Sequence, residues 1–388
     1  MKIQVDSASL AKACSLATKN IPNKVIIPIV SNLLVVADES SLKISSTDME
    51  SWVVYNVPAT VELDDIPVSF CIGAVNMTSL LTAIPSQPVT IEVLERKTVD
   101  EPTWYAKVKH SCGVSELPVL PADEFPVFKP IEAQSYVLPA EVLKRCIQSC
   151  RFALFSDVDT FPELTCMLLD FKGNSLVAVG TDKNRMVRLE YPDMEGEACK
   201  FLLPPKIQTL LMPALDEVIK SKDAIDTVVL QRNGNVGCIQ TEYVQIYYRQ
   251  PERSFPKYDT VIPAQRYFCR KAVVNRQDFI SAVTRASLFT NAASMLLKIR
   301  FDSASEYAVI EGCDIDFGTS SEEKVRCEYE GDALLIGMKA TFLKDILQHL
   351  TSERVVLSMI DQTRQILFTE ENANQNVLMM MMPMLLTY

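Results

Sequence analysis

Apolar residues fall into two rhythms along this chain. Leu10, Ala13, Cys14 and Ala17, and again Leu143, Ile147 and Cys150, recur at three- and four-residue spacing, which predicts amphipathic helices, with Pro139 and Pro205 near helix starts. Stretches such as LKISST and QIYYRQ alternate, or are rich in β-branched and aromatic residues, and predict strands. The rhythm itself repeats. A strand, a polar turn with aspartate and a second strand occur at Asp48, Asp182 and Asp314, in steps of 134 and 132 residues. An amphipathic segment occurs around Leu10, Leu143 and Phe279 (steps of 133 and 136), and a later one, followed by an apolar strand, around Leu81, Leu211 and Leu347 (steps of 130 and 136). Phe-Pro pairs at Phe125 and Phe255 lie 130 apart.

Four features in one order at one period predict three tandem copies of a single domain, divided as residues 1–128, 129–264 and 265–388, with linkers near 128–135 and 263–270. Each copy reads as helix, strands, helix, more strands. That pattern predicts an α+β fold in which two helices per copy lie on one side of an antiparallel sheet.

Composition narrows the function. The 388 residues are 48% hydrophobic and 22% charged, a globular mix, and the longest nearly apolar run is too short for a spanning helix. Asp6 falls where a signal peptide needs its apolar stretch, so a cytoplasmic location is expected. Eleven cysteines with no C-x-x-C favour neither a disulfide scaffold nor a zinc ribbon, and Cys146 and Cys150 read as helix core. Only 11 glycines are present, and neither a phosphate-cradling nor a dinucleotide glycine motif occurs. His110-Ser111-Cys112 is the nearest approach to a nucleophile cluster, but successive strand residues point to opposite faces. The three turn aspartates recur once per copy, too far apart for one ion, and read as turn caps. No catalytic residue, metal or cofactor is expected.

The net charge of −11 argues against nucleic acid only as an average. The six helical windows sum to +7, which leaves −18 for the rest. A basic helical face in an acidic body suits a phosphate backbone, although lysines and arginines that merely solvate helices would give the same count. At the end of the chain, NVLMMMMPMLLTY reads as a core strand over residues 377–381 and an exposed apolar edge of a peptide groove over 382–386.

Taken with the threefold repeat, IPIVSNLLV (27–35), GTDKNRM (180–186), FPKYDTVIP (255–263) and the ending MPMLL (382–386) make the whole chain resemble the bacterial DNA polymerase III beta subunit, the DNA sliding clamp. The resemblance implies a head-to-tail homodimeric ring of three-domain protomers that encircles double-stranded DNA without sequence preference and tethers the replicative polymerase, the clamp loader and other proteins. It makes Lys12, Lys24, Lys144, Arg145, Arg151, Lys206, Arg276 and Lys339 candidates for facing DNA. It implies a cleft for short linear peptides walled by Leu164, Thr181, Arg185, Met186, Pro256, Val261, Tyr329, Met382, Pro383 and Met384, and a dimer contact at Leu288 and Phe289. Lys183-Asn184 stands where the family usually has Gly-His, Leu385 replaces an arginine, and Thr387-Tyr388 extends the end, which bears on peptide preference. The competing expectations are a peptide-binding scaffold that does not encircle DNA and an enzyme, which would gather titratable groups in one domain.

Overall fold

The structure, a computed structural model, describes residues 2–24, 26–62, 69–96, 103–194, 196–221, 226–371 and 376–386. Thr387 and Tyr388 lie outside the described residues. Seven α-helices are described: α1 (Ser7–Thr18), α2 (Ala74–Ala83), α3 (Ala140–Cys150), α4 (Pro162–Thr165), α5 (Pro205–Lys220), α6 (Arg276–Ser287) and α7 (Ala340–His349). Local chemistry starts two of them. Asp6 caps α1 by accepting from the Ser9 amide at 2.9 Å, and Asn275 caps α6 by accepting from the amides of Gln277 and Asp278. Among the described residues no helix is long and apolar enough to cross a membrane.

The chain forms two compact units, residues 1–144 with 206–250, and residues 145–205 with 251–388. Each carries one twelve-stranded sheet. In the first, Ser51–Glu62 pairs antiparallel with Val244–Arg249, with Tyr55 opposite Val244 and Trp52 opposite Tyr247. In the second, Arg185–Pro192 pairs with Val377–Met381, with Met186 opposite Met380. Each sheet therefore runs on from strands of one sequence repeat into strands of the next. The methionine strand has the predicted extent, and Met379 and Met381 are fully buried.

Several strands keep an unpaired side among the described residues, among them one in the first repeat and one in the third. Gly113–Pro121 pairs with Thr103–His110 over residues 113–119 and with Ser69–Gly73 over 119–121 only. Thr319–Glu330 pairs with Tyr307–Asp314 over 319–326 and with Arg270–Asn275 over 327–330.

Helices cover the sheets through apolar stripes. In the first unit Leu10 of α1 and Leu81 of α2 are buried with Ile3, Leu42, Ile44 and Ile72; in the second, Phe279 of α6 and Leu347 of α7 are buried with Phe301 and Phe368. The first helix of each repeat ends against the strand that leads to the aspartate turn. Ser46 donates its hydroxyl to the Ala17 carbonyl at 2.7 Å. At the matching places Gly180 and Gly312 leave so little room that a Cβ would lie 2.7 Å from the Cys150 carbonyl oxygen and 2.2 Å from that of Ala286. The three contacts solve one problem twice with a missing side chain and once with a hydrogen bond.

Gly312→Ala should accordingly lower the stability of the second unit by about 2 kcal/mol or more through overpacking, read as a lower denaturant midpoint. Ser46→Ala, which only loses a buried hydrogen bond, should cost about 1 kcal/mol. A neutral Gly312→Ala would show that the helix end can withdraw.

Candidate functional site

The aspartate turn of the second repeat builds one end of a cleft. Asp182 accepts from the amides of Arg185 at 2.6 Å and Asn184 at 2.9 Å, which fixes the turn as expected for an aspartate cap and leaves Lys183 at φ 76°. Asp48 holds its turn in the same way through Ser51 and Glu50, and Asp314 through Asp316 and Phe317. Arg185 is nine-tenths buried. Its guanidinium bonds Asp182 at 2.9 Å and Asp345 at 2.5 Å and lies 4.1 Å from the Phe342 ring centre, so two carboxylates and an aromatic face hold it in place.

The strand that follows carries Met186 beside Met380, and the segment from Phe255 to Val261 forms the facing wall. Tyr258 turns its ring inward and donates to Asp170 at 2.8 Å. Burial, and then the Asp170 carboxylate, push its phenol well above the ordinary range, so it stays a neutral donor. Between these walls lies a cleft of about 380 Å³. Of the residues expected there, Leu164, Thr181, Arg185, Met186, Pro256, Val261 and Met382 line it. Tyr329 stands apart, stacked on Phe301 with centroids 5.4 Å apart and bonded to the Asp332 carbonyl. Met384 is instead bridged to Gly337, and Pro383, between it and Met382, is half-buried outside the lining. Lys183, Asn184, Lys257, Thr260, Gln365 and Met380 also line the cleft. In the sequence Lys183 and Asn184 stand out only as departures from the family pattern, and Gln365 is brought in by strand pairing that no local pattern encodes.

The first repeat offers an internal comparison within its own unit. Trp52 and Tyr247 occupy the register positions that Met186 and Met380 occupy in the second. Phe128 lies against both rings, at centroid distances of 4.8 and 5.0 Å, Ile131 packs beside it, and the Trp52 indole donates to the Pro126 carbonyl. The place that is open in one repeat is filled in the other by the chain's own linker.

The eight basic candidates divide. Lys12 pairs with Glu217 and Lys144 with Asp216, each at 2.7 Å. Lys206 binds Asp48 and the Asn20 carbonyl, tying α5 to the turn of the first repeat. Arg276 donates to the carbonyls of Ser352 and Leu347 at the end of α7, and Lys339 lies 4.7 Å from the Phe342 ring centre. Lys24, Arg145 and Arg151 are exposed. At the end of α6, Leu288 is 77% exposed and Phe289 38%, an uncovered apolar pair.

His110, Ser111 and Cys112 do not form a strand as the sequence suggested: Ser111 and Cys112 are the two-residue turn of a hairpin in which His110 faces Gly113. All eleven cysteines are free thiols, and burial pushes that of Cys146 up to about 12, which suits packing rather than reaction. Among the described residues no group of His, Cys, Asp or Glu side chains could hold a metal ion.

Tandem α+β repeats joined by shared sheets, with an apolar cleft beside the last strand, define a tandem-repeat class of protein, and comparison identifies its family. Residues 1–129 match the N-terminal domain of the DNA polymerase III beta subunit and residues 259–385 its C-terminal domain, so the chain belongs to that family. The beta sliding clamp of Streptomyces coelicolor is 27% identical over 95% of this chain and 94% of its own length; that of Treponema pallidum is 25% identical over 94% of each. The fold is shared along whole chains with the Pseudomonas aeruginosa sliding clamp bound to griselimycin (TM-score 0.88, 22% identity) and the Bacillus subtilis clamp (TM-score 0.86, 20% identity).

Asp48 gives the turn of the first repeat a pH signature. Burial pushes its carboxyl up, but the Lys206 ammonium and the Ser51 donors outweigh burial and hold it below the usual carboxylate range. A carboxyl depressed by folding contributes stability above its unfolded value and loses it as pH falls through the folded one. Asp48→Asn should therefore cost about 1–3 kcal/mol at neutral pH and flatten the loss of stability below about pH 4. An unchanged acid limb in urea titrations would mean that Lys206 does not hold Asp48.

Proposed function

We propose that two copies of this chain close head to tail around duplex DNA and act, without performing a reaction, as a sliding clamp that keeps the replicative polymerase and other replication and repair proteins on the template. The observation that carries this reading is the match of both ends of the chain to the two ends of one clamp family, at full relative length. The strand edges support a way to close. Two joins between repeats are made by antiparallel strand pairing, and the first and third repeats each keep a strand with an unpaired stretch. Pairing 113–118 of one chain with 319–326 of the other would satisfy both edges and bring Leu288 and Phe289 to the junction.

The cleft of the second unit is proposed as the docking place for short peptide segments of the partners. Lys24, Arg145 and Arg151 are proposed as the principal contacts with phosphate, since all three side chains are exposed. Phosphate contacts carry no sequence information, which suits a protein that must move along DNA.

Changing Leu288 and Phe289 together to aspartate should give a folded monomer by sedimentation; a dimer that persists would place the junction elsewhere. Retention on DNA separates topology from affinity. A groove binder is stripped as salt rises, with a slope near the number of phosphates neutralised. The clamp, once loaded on a nicked circle, should survive a moderate salt wash and leave promptly when one cut linearises the circle. Equal loss from circle and line would favour a scaffold that does not encircle DNA.

A further inference from the structure

The charge of the cleft runs against the charge of the chain. The protein carries −11 overall, yet the described residues that line the cleft include Lys183, Arg185 and Lys257 and no aspartate or glutamate. Arg185 offers little of its charge outward, because Asp182 and Asp345 both bind its guanidinium. The two lysines are different. Both are exposed, and neither has an ion-pair partner among the described residues. The acid next in sequence to this wall, Asp259, is engaged by Lys172 at 2.8 Å.

Lys183 is also held in place. Its turn is fixed by Asp182, its amide donates to the Thr181 hydroxyl at 3.2 Å, and its ammonium lies 2.9 Å from the ring centre of Phe161 and 5.6 Å from that of Phe155. The two rings meet edge to face. An aromatic face attracts a cation without neutralising it, so the charge is parked at the rim with its outer side available. Lys257 stands on the opposite wall beside Pro256. Between them the floor is apolar, with Leu164, Met186 and Val261.

We infer that the cleft selects acidic peptides: an apolar segment fills the floor while flanking aspartate or glutamate side chains meet Lys183 and Lys257, which act as the specificity-determining residues. This rests on the reading of the cleft as a peptide site and adds what kind of peptide it takes. Exposed ion pairs are each worth under about 1 kcal/mol, so the pair of lysines supports a preference of about fivefold for an acidic peptide over its amide counterpart. The preference should fade with salt, whose screening length is about 8 Å at physiological ionic strength.

The test selects short random peptides displayed on phage against the full-length protein. The best binder is then made in two forms, with its acidic residues kept and with each changed to the matching amide, and both are titrated by fluorescence anisotropy. The expected result is enrichment of acids around an apolar core, an acidic-to-amide affinity ratio of about five, and a ratio near one in Lys183→Gln with Lys257→Gln. Lys183→Arg, which keeps the charge, should retain the preference, and Lys257→Gln alone, away from the constrained turn, should lower it. Equal binding of both forms by the wild-type protein would overturn the acidic preference while leaving the peptide site intact. Selected peptides that bind equally well after Met186 and Val261 are changed to aspartate would show that the cleft is not the docking place, and both readings would fall.

Discussion

Antiparallel strand pairing between successive repeats is the constraint on which the rest of this protein depends. A single repeat would leave the outer strand of its sheet with a row of unmatched amides and carbonyls, and such edges are costly to leave bare and prone to unwanted pairing. Ser51–Glu62 and Arg185–Pro192 each find their partner in the following repeat. Each pairing sets a register, and the register decides which side chains share a face: Trp52 with Tyr247 in one case, Met186 with Met380 in the other. The floor of the cleft is thus a by-product of how the sheet is continued. Its walls are loops whose shapes are fixed by hydrogen bonds from Asp182 and Tyr258.

What could be read from the sequence was whatever has a local cause. The aspartate turns, the amphipathic helices and the methionine strand are each encoded within a few residues, and their recurrence reveals the repeat. Six cleft residues are legible because they sit in short motifs at the turn, the Phe-Pro segment and the chain end. Features with distant causes were not legible. No window of sequence tells that Lys206 reaches Asp48, that Arg185 reaches Asp345, or that the strand edge brings Gln365 into the cleft. The hairpin turn at Ser111 and Cys112 was not legible because the pair lacks the Asn-Gly or Asp-Gly signature of two-residue hairpins, and the pairing of His110 with Gly113 sets it.

Counting charge by helix had the same weakness. The helical excess of basic residues is real in the sequence, but Lys12 and Lys144 meet carboxylates of α5, and Lys206 meets one in a turn. Ion pairs at partly exposed positions contribute little stability. In the proposed clamp their larger effect is to moderate the field of these lysines. A surface that must let a polyanion slide is better served by tempered charge than by a strong grip at fixed points.

Phe128 gives the paired architecture an asymmetry that the repeat alone would not produce. By lying on Trp52 and Tyr247 it turns one potential berth per chain into ordinary interior, while the matching place one repeat later stays vacant. In the proposed closed dimer this arrangement would leave two such clefts, one per subunit, rather than four. Partners that dock there as proposed would share so short a supply, and traffic among them would become a matter of waiting, displacement and hand-over, set by the number of open places as much as by how tightly each newcomer holds.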